Sequence, residues 1–337
     1  MKSIVLEAPG QFRFDERPDP SPKGSGDALV RVRRIGVCGT DLHAYRGDQP
    51  FFAYPRVLGH ELGVEVVASA SDRVRPGDYG AVEPYLHCGV CRPCREGRTN
   101  CCSKLSVLGV HQDGGLCDYL VVPASKLHVS AMLPLEHLAL VEMLGIGAHA
   151  VARAGITAQD QVLVIGAGPI GLSAIQFARL VGADVVVMET NPDRMAFCKR
   201  FMDVRGCVAA GDDAERCLRE QFDGDLPGVV LDATGNRHAM ANAFSLVDSG
   251  GRLVLIGLFI GELAFYDPEF HRKELTLLSS RNATAADFAY VIRMLESGKI
   301  NLNPWITHRV GFDDVIDAFP TFVDPAEGVI KAMIDLD

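Results

Sequence analysis

The stretch QVLVIGAGPIGLSAIQFARLVGADVVVME, Gln161 to Glu189, constrains the fold more than any other. An apolar run ends at Gly166, Gly168 and Gly171, a helical pattern follows, and a second apolar run closes the stretch. Strands that are apolar throughout are covered on both faces, and a helix between two of them makes a parallel βαβ unit. The alternation continues through GVVLDAT, HAMANAFSLV, GRLVLIG and ELTLLSS. The expectation is an α/β fold whose core is a doubly wound parallel sheet of the Rossmann type, spanning residues 150–287.

The glycines have a physical purpose in such a sheet. The first permits a tight turn, the second lets a pyrophosphate approach the backbone, and the third lets helix and strand pack closely. Gly166, Gly168, Pro169, Ile170 and Gly171 are therefore expected to cradle a dinucleotide at the helix N-terminus, where free N–H groups favour anions. Glu189 ends the second strand, where a carboxylate accepts hydrogen bonds from ribose hydroxyls and repels a 2′-phosphate. NAD is thus expected in preference to NADP, although Arg194 stands close enough in sequence to reach a 2′-phosphate.

Residues 1–149 have a different texture. ALVRVRRIG, GVEVVAS, YGAVEPY and CDYLVVP are short strands broken by Gly and Pro, an irregular β-rich unit. With 337 residues, two domains are expected. Composition alone leaves open which of them takes the final segment, with HRVGFDDVIDAF and GVIKAMIDL. A formal net charge of −10 argues against nucleic acid or an anionic membrane as partner. Neither a signal-peptide pattern nor an apolar run of bilayer length is present, so a cytoplasmic protein acting on a small molecule is expected.

The chain has 10 cysteines, five of them in HCGVCRPCREGRTNCC. Clustered thiols in a reducing compartment point to metal or redox chemistry rather than disulfides. Cys88, Cys91 and Cys94, with either Cys101 or Cys102, offer the closed four-thiolate shell of structural zinc; spacing does not choose between the last two. A second constellation lies in GVCGTDLH and GHE, which supply Cys38, His60 and Glu61. A Cys, a His and a carboxylate suit a zinc that keeps one position open for substrate. Taken singly, Cys38 reads as a buried thiol and His60 as a core histidine; their pairing with a dinucleotide fold is what favours metal.

Together GVCGTDLH, GHE, the C-x-x-C-x-x-C lobe and VIGAGPIG resemble the zinc-dependent alcohol and polyol dehydrogenases of the medium-chain dehydrogenase/reductase family. The resemblance spans nearly the whole chain. It implies a GroES-like catalytic domain made of 1–149 and 288–337, with a structural-zinc lobe at 84–103. It selects Cys102 as the fourth lobe ligand and leaves Cys101 spare. The polyol branch implies a catalytic zinc held by Cys38, His60 and Glu61, with Glu142 as a further ligand, direct or through water. The family usually has proline after that last glutamate, where this chain has Met143. Thr40 and His43 match the pair that carries the alcohol proton away. A homodimer or homotetramer is implied, with GRLVLIGLFIGEL either at the subunit interface or as ordinary buried strand.

Longer stretches, GDQPFFAYPRVLGHE, VLGVHQDGG and GLFIGELAFYDPEFHRKELTLLSSRNAT, resemble the sugar-acid branch of that family. They imply oxidation of L-galactonate or L-gulonate at C5 to a keto sugar acid, with a neutral polyol or L-threonine as the alternative substrate. A substrate carboxylate calls for a cation, and Arg281, Arg56 and His111 are the candidates. A protein that only bound zinc and NAD would not need an open metal position, which disfavours a non-catalytic reading.

Overall fold

A computed structural model describes residues 1–50 and 52–336 of the chain. Its first part is built on β1 (Asp27–Gly36), in which Val30 and Val32 are buried while Arg31 faces solvent. That alternation is the mark of an antiparallel strand with one face on the core. Helix α1 (Gly39–Arg46) follows, capped by Cys38 and ended by Gly47 in the left-handed conformation. Strand β2 (Glu61–Ser69) returns beside β1 with Val32 opposite Val64, and β3 (Tyr79–Val82) pairs with β2. The short β4 (Tyr85–Leu86) leaves this sheet to pair with Ser106–Val107 at the base of the cysteine lobe. Strand β5 (Tyr119–Pro123) adds to β1, and β6 (Leu127–Val129) to β3.

Helix α2 (Val141–Ala154) leads into β7 (Gln161–Ile165), helix α3 (Pro169–Leu180), β8 (Asp184–Glu189) and β9 (Gly206–Ala209). The series goes on through β10 (Val229–Asp232), β11 (Arg252–Leu255) and β12 (Thr276–Ser279). These six strands form one parallel sheet in the order β9-β8-β7-β10-β11-β12. Val162, Leu163 and Val164 are fully buried, as are Val185, Val186 and Val187, because helices cover both faces. The strand order reverses between β7 and β10, which opens a crevice at the carboxyl ends of the strands. The doubly wound sheet expected from the apolar runs is present.

The chain then passes through α4 (Ala285–Glu296) to β13 (Ile306–Gly311) and β14 (Lys331–Asp335). Strand β14 lies antiparallel beside β1, with Ile334 opposite Ile35, so the final segment completes the first sheet. Among the described residues that sheet has seven strands, β6-β3-β2-β1-β14-β13 with β5 also on β1. Two units result, Met1–Met143 with Ala283–Asp337, and Leu144–Asn282. Among the described residues no helix is long and apolar enough to cross a membrane.

Candidate metal and cofactor sites

In the second unit the glycine turn is dictated by space. Gly166 has φ +90°, a left-handed conformation costly for a side chain, and a Cβ on Gly171 would collide with the Gly166 carbonyl. Pro169 then opens α3 with its missing N–H at a position that has no intrahelical acceptor. Glu189 is buried, and its Oε2 accepts from Ala167 N at 2.7 Å while Oε1 accepts from Thr190 N at 2.7 Å and Asn191 N at 3.0 Å. Burial pushes this carboxyl up, but the N–H groups of Asn191, Ala167 and Thr190 outweigh it and hold the acid below its ordinary value. Glu189 thus stays anionic at the rim of a cavity of about 500 Å³ lined by Gly166, Thr190, Thr234, His238 and Asn242. Arg194 Nη1 lies 3.8 Å from where a Gly168 Cβ would stand. Arg281 is exposed two residues beyond β12.

In the first unit, α1 and β2 bring Cys38, His60 and Glu61 together, with their donor atoms within 4.8 Å of one another. Asp41, in the first turn of α1, accepts from Cys38 N at 2.9 Å and Gly59 N at 3.3 Å, and so ties the two segments. His60 Nδ1 is buried without a hydrogen-bond partner, 3.7 Å from Asp41 Oδ1. Burial lowers the His60 proton affinity, yet the negative charges of Asp41 and Cys38 more than reverse this and raise it well above the usual histidine value. The converging negative charge and the unpartnered ring nitrogen suit a cation at this position. The donor set, soft thiolate plus imidazole plus carboxylate, fits zinc.

Glu61 is fully buried against the Cα of Gly36, where a Cβ would strike its Oε2. Lys331 on β14 donates to Glu61 Oε1 and Oε2, each at 2.7 Å, and to Val37 O at 3.0 Å. Glu142, in the first turn of α2, stands outside the converging set and accepts a hydrogen bond from the Tyr85 phenol. Burial pushes the Glu142 carboxyl up to about 7. Thr40 and His43 are three residues apart on α1 and so share a face; His43 Nδ1 lies 2.9 Å from Asp48 Oδ1.

The cysteine lobe forms a second donor set, Cys88, Cys91, Cys94 and Cys102. The sulfur separations are 3.4 Å for Cys91–Cys94, 3.8 Å for Cys91–Cys102 and 3.5 Å for Cys88–Cys102. Zinc–sulfur bonds of about 2.3 Å place tetrahedral sulfurs roughly 3.8 Å apart, so these spacings suit a closed thiolate shell. Backbone N–H groups of Ser103 and Cys94 pull the Cys91 thiol down to about 5. Cys101 lies outside this set, with Arg98 Nη2 3.8 Å from its sulfur. All 10 cysteines are free thiols.

Two further cation candidates lie in the first unit. Arg56 Nη1 is 3.7 Å from Asp113 Oδ1, a carboxylate that also takes Arg17 Nη1 at 2.8 Å and Val57 N at 3.0 Å. His111 Nδ1 accepts from Val107 N at 3.0 Å. Sequence reasoning misses Lys331 and Tyr85. Lys331 carries a signal, a lone lysine in the apolar run GVIKAMI, because a charge inside a core strand demands a buried partner.

A dinucleotide-type parallel sheet in one unit and two metal-type donor sets in a β-rich unit define a zinc-dependent dehydrogenase. This chain belongs to the zinc-type medium-chain dehydrogenase family. The family model "Alcohol dehydrogenase GroES-like domain" matches residues 24–132, and "Zinc-binding dehydrogenase" matches 169–297. The chain is 44% identical over 336 residues to L-galactonate-5-dehydrogenase of Escherichia coli K12, covering 99% of this chain and 98% of the relative. It is 31% identical to D-xylulose reductase A of Aspergillus oryzae, covering 94% and 92%. The crystal structure of RspB from E. coli CFT073, complexed with NADH, superposes with a TM-score of 0.92 at 32% identity, covering 100% of this chain and 99% of the other. The protein is an oxidoreductase that uses zinc and a nicotinamide dinucleotide.

Proposed function

We propose that this enzyme oxidises a secondary hydroxyl of a hexonate, L-galactonate or L-gulonate at C5, to the keto sugar acid while reducing NAD. The observation that carries the reading is the 44% identity to L-galactonate-5-dehydrogenase along 99% of the chain. Cys38, His60 and Glu61 would hold the catalytic zinc, and Cys88, Cys91, Cys94 and Cys102 the structural one. Zinc bound at the first set supplies Lewis-acid polarisation of the substrate hydroxyl.

The chain's own residues do the rest. Asp41 places its carboxylate 3.7 Å from His60 Nδ1, a negative charge beside the imidazole that would favour a bound cation. Thr40 would relay the proton, accepting it from the substrate hydroxyl as it gives its own to His43, whose Nδ1 lies 2.9 Å from Asp48 Oδ1. Glu189 accepts from the adenosine ribose and excludes a 2′-phosphate by charge, which favours NAD. Catalysis falls to residues 1–149 and 288–337, and cofactor binding to 150–287. Arg281, Arg56 or His111 would anchor the substrate carboxylate; of these, Arg281 follows the last strand of the cofactor sheet, where ligands of such sheets bind. Exposed Leu258, Ile260 and Leu277, the last on edge strand β12, support a homodimer or homotetramer built on that edge.

The test is NADH formation with L-galactonate, L-gulonate, sorbitol, galactitol and L-threonine. A clear preference for a hexonate sustains the reading. Preference for a neutral polyol, which the 31% identity to a D-xylulose reductase favours as the second reading, would retire the sugar-acid assignment. Preference for L-threonine would retire it as well.

A further inference from the structure

We propose that Tyr85 is a positioning residue for the catalytic metal site, its phenol holding Glu142 outside the Cys38–His60–Glu61 donor set so that a coordination position stays open for substrate. This rests on the reading of that donor set given above. Tyr85 and Glu142 are 3% and 5% exposed, and the phenol donates to Glu142 Oε1. Glu142 lies within electrostatic reach of His60, Glu61 and Lys331, yet its oxygens are not among the atoms that converge within 4.8 Å. A buried carboxylate near a metal has two ways to be satisfied, a hydrogen-bond donor or the cation itself. Here the donor is the phenol, and the three donor atoms converge without Glu142.

Tyr85 is itself braced on several sides. Its ring meets Phe288 of α4 edge-on at 6.3 Å and 85°, and Phe288 is fully buried. Phe288 stacks on His128 at 4.9 Å and 29°. His128 Nε2 lies 3.0 Å from Glu83 Oε2, and Lys126 joins Glu83 to His87, whose Nδ1 is 3.0 Å from Lys126 Nζ. The residues two before and two after Tyr85 are thus pinned in one partly buried polar network that the proposed hydride chemistry does not use. His87 in turn adjoins Cys88 of the lobe. A phenylalanine at position 85 would keep the ring packing and remove only the donor.

The test uses enzyme whose lobe retains zinc and whose other metal is exchanged for cobalt(II), as wild type, Tyr85→Phe, Glu142→Gln and Tyr85→Phe/Glu142→Gln. In Tyr85→Phe, Glu142 loses its donor and joins the metal. The visible cobalt bands should shift and cobalt release to a chelator should slow about tenfold, the scale on which outer-shell partners act. kcat should fall with NAD affinity unchanged. In the Glu142→Gln background, Tyr85→Phe should change neither bands nor release, because no carboxylate remains to move. Bands and release unchanged in Tyr85→Phe, or a change that persists without the Glu142 carboxylate, would overturn the proposal. Cys38→Ser separates the two levels. If it leaves cobalt bound with the wild-type spectrum, the donor-set reading fails and this inference with it. If it strips the metal while Tyr85→Phe remains silent, only the role of Tyr85 fails.

Discussion

Lys331 and Glu61, 270 residues apart in the chain, form a buried ion pair with the ammonium 2.7 Å from both carboxylate oxygens. The pair sews the last strand to the head of β2, beside His60. Removing one partner of such a pair leaves an uncompensated buried charge and costs about 3–5 kcal/mol. Lys331→Met is expected to lose stability on that scale in equilibrium urea unfolding, and Lys331→Met/Glu61→Gln to recover a large part of it. Equal losses in the two variants would show that the cost is packing and not charge.

Gly171 faces the Gly166 carbonyl with no room for a Cβ. Gly171→Ala forces α3 away from β7 and displaces the N–H groups proposed to cradle the pyrophosphate. NAD affinity measured by calorimetry is expected to fall by about 10-fold or more, the effect of losing one or two hydrogen bonds to a charged group. Binding of zinc by the first unit should be untouched.

Glu189 is the residue proposed to favour NAD over NADP. Glu189→Gln removes the charge that repels a 2′-phosphate, and Arg194 stands over the glycine turn ready to receive one. The ratio of kcat/KM for NAD to that for NADP should drop by about 10-fold or more. The variant should also lose about 1–3 kcal/mol, because Ala167, Thr190 and Asn191 donate to this carboxylate.

Cys101 and Cys102 are neighbours with different fates. Only Cys102 joins Cys88, Cys91 and Cys94. Cys102→Ser should lower zinc content by about one ion per chain and reduce the melting temperature, whereas Cys101→Ser should do neither. Metal analysis beside thermal unfolding separates the two.

Glu83 links the lobe network to acid stability. Burial pushes its carboxyl up, but contacts with His128 and Lys126 more than reverse that, so its folded value lies below its ordinary one. Folding therefore favours the ionised form. The associated stability is complete above the ordinary carboxylate range of about pH 4–5 and is lost as pH falls through the lower folded value. Glu83→Gln should be less stable near neutrality and flatten the acid limb, measured as unfolding midpoints from about pH 7 to about pH 3.

Much of the fold and of both metal sites is legible in the chain itself. The apolar runs QVLVI and ADVVVME suit strands covered on both faces, and GAGPIG suits a turn where backbone meets an anion. These are local facts, because periodicity and glycine geometry act within a few residues. The cysteine spacing likewise announces a thiolate shell, since a tetrahedral site needs ligands that short turns can gather. Tertiary structure decides the rest. Composition leaves the final segment unassigned, and pairing of Ile334 with Ile35 joins it to the first sheet. Spacing by itself leaves Cys101 and Cys102 equal, and the fold brings the Cys102 sulfur to the other three. The resemblance implies Glu142 as a metal ligand, direct or through water; that it also meets the Tyr85 phenol, 57 residues away, only the fold shows. Lys331 finds its carboxylate across almost the whole sequence. Partners of buried charges are chosen by which strands lie side by side, and that is settled by packing over the entire chain, not by any stretch of it.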